Sequence, residues 1–593
     1  MNGDLDLAPI GNCAVSALID RDGRYVWACA PRVDGDPVFC RLLDADKAHG
    51  DWAITVEGQA SVEQDYVRNS AVLRTVLSDD RGGSVEILDL APRHWRSGRI
   101  FRPTAFLRRL RPLSGAPRVR IRLRPGRDWG AAACERTWGS NHIRYLGGQT
   151  TLRLTTNGPV SAILNERPFR LEEDLTLFLG PDEPFTGDVS DVCRDMIEKT
   201  ITYWQGWVRT LAVPLDYQAV VIRAAIALKL CVYEDTGAIV AALTTSVPEA
   251  PGSGRNWDYR YCWLRDAYYV VQALTRLSAL DILERYLSFL RNLVDGAEDG
   301  HIQPVYGVGL EGDLTERADT GLAGYMGMGP VRVGNQAYEQ QQHDVYGQVV
   351  LSSVQAFFDQ RLLRPATVDD FHALEAVGER AFATHDQPDA GLWEYRTRTR
   401  VHTYTALMSW AACDRLANAA EAIGLADRAA HWRERAAIVR ARIESGAWNA
   451  RLGRFAGSFG GDELDASLLQ LVDLQFLDPA DERYKATLAA VEQELRRGPY
   501  LLRYCEADDF GLPETAFNFC TFWFIEALHR SGRTDEARGL FEEMLGRRTR
   551  AGLLSEDISL KDGRLWGNYP QTYSLVGLIN CAALLSRPWS AVR

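Results

Sequence analysis

Residues 191–209, Asp-Val-Cys-Arg-Asp-Met-Ile-Glu-Lys-Thr-Ile-Thr-Tyr-Trp-Gln-Gly-Trp-Val-Arg, separate two parts of the chain that differ in pattern. Apolar residues recur there near helical spacing, and Gly206 is the one glycine, so 191–212 reads as a linking helix. On its N-terminal side, short alternating runs sit between turn signals. Examples are Ala14–Ile19 before Asp22-Gly23, Val72–Leu77 before Asp79, Arg118–Leu123 and Leu175–Leu179. That spacing predicts an antiparallel β-sandwich over residues 1–190. On the C-terminal side the period becomes helical. Helices are expected at 217–233, 266–278, 280–295, 338–360, 367–383, 401–422, 426–445, 482–496, 517–531, 534–546 and 571–585, with 464–474 a weaker addition. Paired helices at this length make a solenoid or a closed toroid. No fixed-period repeat is visible, and the loops between pairs are long and rich in charge and aromatics. A closed toroid over 213–593, with a site at one end, is the favoured reading.

Composition narrows the function. The chain has 593 residues and a net charge of −12, which argues against a nucleic-acid partner. No run of residues is long and apolar enough to span a membrane, and the acidic start Met1-Asn2-Gly3-Asp4 has no secretory apolar core. The 11 cysteines lie outside any metal-ligand spacing and read as buried thiols of a reducing, cytoplasmic compartment. Dinucleotide, P-loop and zinc-protease motifs are missing.

Four loop segments carry chemistry. Arg255-Asn256-Trp257-Asp258-Tyr259-Arg260-Tyr261-Cys262-Trp263-Leu264-Arg265-Asp266 interleaves aromatics and charges and runs into a helix. Indole and phenol faces suit the C–H faces of a sugar, and Arg and Asp suit its hydroxyls. Read alone, Asp266 is a first-turn helix acid and Arg265 an ion-pair partner. Gly391-Leu392-Trp393-Glu394-Tyr395-Arg396 sets a carboxylate between aromatics, where desolvation would favour its protonated form. Leu553-Leu554-Ser555-Glu556-Asp557 precedes Trp566-Gly567-Asn568-Tyr569-Pro570-Gln571, and Leu502-Arg503 begins a segment ending at Pro513-Glu514. Each of these acids in isolation is best read as a surface residue. Together, all four segments lie N-terminal to expected helices, and loops of one parity open on one face of a toroid. Glu394 and Glu556 facing each other across Trp and Tyr meet the needs of glycoside hydrolysis, one protonating the leaving oxygen and the other activating water.

These residues resemble glycoside hydrolase family 15, the glucoamylase and prokaryotic trehalase family, and the likeness runs nearly end to end. Tyr259–Asp266 is similar to the family's aromatic–Arg-Asp substrate loop, Trp393-Glu394 to its general-acid motif, and Ser555-Glu556 with Gly567–Gln571 to its general-base motif. The resemblance implies an N-terminal β-sandwich, a linker helix and an (α/α)6 barrel. It implies an inverting, exo-acting α-glucoside hydrolase that needs no cofactor or metal. Glu394 would be the acid and Glu556 the ionised base, their carboxyls roughly 6.5–9.5 Å apart. Arg265 and Asp266 would hold hydroxyls of the nonreducing glucose, with Tyr259, Trp263 and Trp393 as walls and Arg503 and Glu514 as further sugar contacts.

Departures bear on substrate preference. His402-Thr403-Tyr404-Thr405 replaces a usual Ser-Lys pair, Glu514-Thr515-Ala516-Phe517 replaces a Glu-Gly-Thr-Phe type pattern, and Tyr573-Ser574-Leu575 stands where Phe-Ser-His is common. The leading expectation is a glucoamylase-like release of β-glucose from small α-gluco-oligosaccharides, with trehalose hydrolysis as the alternative. An inverting disaccharide phosphorylase and a catalytically silent sugar-binding protein are weaker. Neither a nucleic-acid nor a membrane partner is expected, and a homo-oligomer stays open. The loop Pro125–Gly139, with Trp129 and Trp138, is a candidate to reach the site.

Overall fold

A computed structural model describes residues 4–297 and 300–592. The first part is a pair of antiparallel sheets. One has seven strands, running from Ala8–Gly11 to Phe169–Arg170, and the other has eight, from Glu135–Trp138 to Gln59–Tyr66. Alternation puts one side of each sheet inward: Tyr25, Trp52, Ile54 and Ile121 of the first pack on Leu77, Ile87, Phe106 and Leu177 of the second. The outer side of the larger sheet is also apolar, because the linking helix covers it.

That helix spans Val189–Arg209 and starts on Asp188, whose carboxylate accepts from the backbone N–H groups of Ser190 and Asp191. Its first half lays Val189, Cys193, Met196 and Ile197 on Leu88, Leu107 and Phe178 of the sheet. Its second half sends Trp204, Trp207 and Val208 into the core of the helical part. One amphipathic element therefore joins both cores.

The helical part closes on itself. Leu264–Arg276, Asp344–Ser353, Thr403–Ala422, the short turn 466–473, Asn518–Arg530 and Thr572–Leu585 pack each against the next, and the last against the first. Outside them lie Gln218–Leu230, Leu280–Gly296, Val368–Thr384, Ala426–Gly446, Glu482–Leu495 and Thr534–Gly546. Among the described residues this is a ring of six elements inside six, a double toroid. The inner helices are buried on nearly all sides, as Asn518–Leu528 shows, whereas outer ones such as Ala426–Gly446 keep an exposed polar face; Gln218–Leu230 is the outer helix that is itself mostly buried.

Two expected helices are shorter than their patterns suggest. The stretch expected at 338–360 holds a 3-10 turn at Gln336–Glu339, extended backbone at Gln340, then helix from Asp344 to Ser353. Its first part crosses the barrel mouth, where Gln340 and Gln342 serve as ligands of a neighbouring loop. Residues 464–474 form only a 3-10 turn and one α-turn. Among the described residues no helix is long and apolar enough to cross a membrane.

Candidate active site

A cavity of about 970 Å³, counting its open mouth, lies at the barrel end where the loops ahead of the inner helices meet. Its floor is buried: Arg265, Asp266, Phe519, Trp523 and Tyr573. Its rim carries Asp509 and Phe510, both exposed. Tyr259, Trp263, Arg265, Asp266, Trp393, Glu394, Arg503 and Glu556 all line it.

Glu514 does not. It is exposed, and the strand Thr515–Phe517 that follows turns Thr515 toward Asp557 instead. The carboxylate that joins Arg503 at the cavity is Glu249, which the sequence reading passed over. Its two oxygens accept from Trp257 Nε1 at 2.8 Å and from Arg503 at 2.6 Å. Only an isolated Val-Pro-Glu ahead of the 255–266 segment marked it in sequence.

Local structure explains how each carboxylate is held. The strand Cys262–Trp263 pairs with Val305–Tyr306 and leads straight into the helix at Leu264, so Arg265 and Asp266 occupy its first turn. Arg265 then reaches in several directions: to Tyr573 Oη at 3.1 Å, Gln342 Oε1 at 2.7 Å, Asp344 at 3.2 Å and Glu394 Oε1 at 2.9 Å. Glu394 lies in the left-handed region at φ 59°, an uncommon conformation for a residue with a Cβ, just after Gly391 at φ 68°. A side chain at Gly391 would collide with the His402 ring, 2.7 Å from the would-be Cβ. His402 in turn stacks on Tyr395, so this departure from the family pattern shapes the loop behind Glu394.

The surroundings of Glu394 are richer in donors than two flanking aromatics suggest. Oε1 accepts from Trp263 Nε1 at 2.7 Å, Arg265 at 2.9 Å and Gln342 Nε2 at 3.3 Å. Asp266 sits deeper, where burial pushes its carboxyl up to about 7 against the pull of Arg265 and Tyr573. Tyr573, another departure from the family pattern, is therefore part of the floor.

Glu556 follows Ser555 on a turn that Gly567 fits by having no side chain. A Cβ there would stand 2.5 Å from that of Glu556. Tyr259 donates its hydroxyl to Oε1 at 2.6 Å. Glu556, Asp557 and Glu249 crowd together, opposed by Arg503. Burial, then Glu249 and Asp557, push the Glu556 carboxyl well above the usual range, while Tyr259 and Arg503 pull it down. Tyr259 and Arg503 thus hold the charge of Glu556 against Glu249 and Asp557.

Among the described residues, the sandwich contributes support and no cavity-lining residue. Arg260, next to Tyr259, is fully buried, pairs with Asp258 through Nε at 2.9 Å and Nη2 at 2.7 Å, and donates to the Gly35 carbonyl at 2.6 Å. Trp129 packs over its guanidinium, 4.9 Å from the centroid, and Trp138 is 62% exposed. The 125–139 loop braces the substrate loop from behind.

A blind cavity with aromatic walls, in which Glu394 and Glu556 stand among several carboxylates, set in a double ring of helices, defines a glycoside hydrolase of the toroid type. The comparisons agree with that class. The model for glycosyl hydrolases family 15 matches residues 216–583, and one for a trehalase-like N-terminal domain matches residues 6–170. The chain belongs to glycosyl hydrolases family 15. It is 31% identical to a trehalase of Mycolicibacterium smegmatis, covering 98% of this chain and 91% of that one. It is 30% identical to a trehalase of Thermoplasma volcanium, over 97% and 92%. A bacterial glucoamylase solved with acarbose superimposes with a TM-score of 0.66 over 98% of this chain and 93% of that one; at 14% identity, this supports the fold alone.

Proposed function

We propose that the protein hydrolyses α,α-trehalose with inversion at one anomeric carbon. Similarity to trehalases over nearly the whole chain carries this reading over that of a glucan-trimming enzyme. Glu394 protonates the glycosidic oxygen. Glu556 takes a proton from water as the water oxygen bonds to C1 and the C1–O bond breaks. Arg265 and Asp266 hold hydroxyls of the glucose on the cavity floor. The second glucose leaves with its own anomeric configuration unchanged.

This chemistry has a defined product ratio: one β-glucose and one α-glucose from each trehalose before mutarotation. Proton NMR during early turnover reads it directly. Only α-glucose at the earliest times would overturn inversion. Rates on trehalose, maltose and isomaltose, measured side by side, test the substrate; maltose turned over faster than trehalose would return the assignment to oligosaccharide trimming.

A further inference from the structure

The rim of the cavity is a fastened structure. Asp508 forms a two-pronged pair with Arg255 at 2.6 and 2.5 Å and accepts from Tyr504 Oη at 2.5 Å. Arg255 also donates to the Gly511 carbonyl at 3.0 Å. The neighbouring acid, Asp509, accepts from the backbone N–H of Arg396 at 2.6 Å and from the hydroxyl of Thr397. Between these ties Phe510 stands edge-on to Trp257, 5.1 Å between centroids. The guanidiniums of Arg255 and Arg396 flank its ring at 5.5 and 5.9 Å. Three consecutive residues thus tie the 505–514 loop to the two loops that carry Tyr259 and Glu394.

Position gives this latch its consequence. The floor at Asp266 and Trp523 is buried, and the rim at Phe510 is 37% exposed, so the cavity has one blind end and one outlet. Trp257, Arg255 and Asp508 line the same cavity as the two carboxylates, and Phe510 lines it at the exposed rim. A chain continuing outward from the carboxylates has to pass this tied loop. The geometry points to Asp508, Asp509 and Phe510 as specificity-determining residues that confine the site to two sugar rings and exclude chains. The inference rests on the reading of this cavity as the hydrolytic site and deepens it from linkage to length.

The test uses the full chain and two substrate pairs that differ by one glucose: maltose with maltotriose, and trehalose with trehalose extended by one α-1,4-linked glucose. The variants are Asp508→Asn, which weakens the ion pair, and Phe510→Ala, an exposed position where folding is little at risk. Wild type is expected to favour the shorter member of each pair in kcat/KM by about tenfold or more, and each variant to shrink that preference by a similar factor. Equal rates on both members in wild type would overturn the latch. So would a uniform fall on both members in both variants, which marks a merely structural loop. Failure to cleave trehalose alongside cleavage of maltose sinks the trehalose reading while leaving the maltose pair to decide the latch.

Discussion

Tyr259 and Trp263 touch edge to face, 5.4 Å between ring centroids, and each holds a different carboxylate: the phenol of Tyr259 donates to Glu556 and the indole of Trp263 to Glu394. One aromatic pair on one short segment therefore helps set the spacing of the two groups on which the proposed reaction depends. Three residues separate the two rings in sequence, and the segment between them ends in the pairing of Cys262 and Trp263 with Val305 and Tyr306.

The roles of the two carboxylates separate by leaving group. Glu394→Gln should lower kcat on trehalose by about 10²–10⁴-fold yet spare α-glucosyl fluoride, whose leaving group needs no proton. Glu556→Gln should depress both. Equal losses on both substrates for Glu394→Gln would remove it as the acid.

Tyr259→Phe deletes the donor that favours ionised Glu556. The carboxyl, already raised by burial, rises further. A base works only when ionised, so the acid limb of the kcat/KM profile should move to higher pH, with a loss of about tenfold at its former midpoint, the size of a hydrogen bond to a charged group. A limb that stays in place would separate Tyr259 from the base.

Glu249→Gln should shift the same limb the other way. Its negative charge is the largest electrostatic contribution raising Glu556, after burial. Removing it makes ionisation easier, so activity should persist to lower pH. Opposite shifts in Tyr259→Phe and Glu249→Gln cannot come from general loosening of the site.

Arg260→Met tests the brace from the sandwich. Asp258 is fully buried, so losing its partner leaves an uncompensated charge and should cost about 3–5 kcal/mol. Thermal unfolding should show a lower Tm, and the remaining folded enzyme a lower kcat through misplaced Tyr259. A variant that melts with wild type would refute the brace.

Much of the architecture is legible in the sequence. Helical and alternating periods are local, so most inner and outer helices fall within a few residues of where the pattern puts them, and the order of the Arg265-Asp266, Glu394 and Glu556 motifs follows the chain. Gln340 and Gln342 escaped because an apolar pattern does not register where a helix yields to a loop that supplies ligands. Glu514, a sugar contact only by the family resemblance, lies exposed outside the cavity because a motif does not fix which way a side chain leaves the chain just before the strand at Thr515. Glu249 carried almost no signal, since its importance comes from meeting Arg503 and Glu556 across the ring. The sequence by itself determined the two-part fold, the ring of paired helices and the candidate acid and base, because period and motif order are properties of neighbouring residues. The tertiary structure alone decided the crowding of carboxylates around Glu556, the brace through Arg260 and the tied rim, because charge balance and loop ties depend on groups that only closure of the ring brings together.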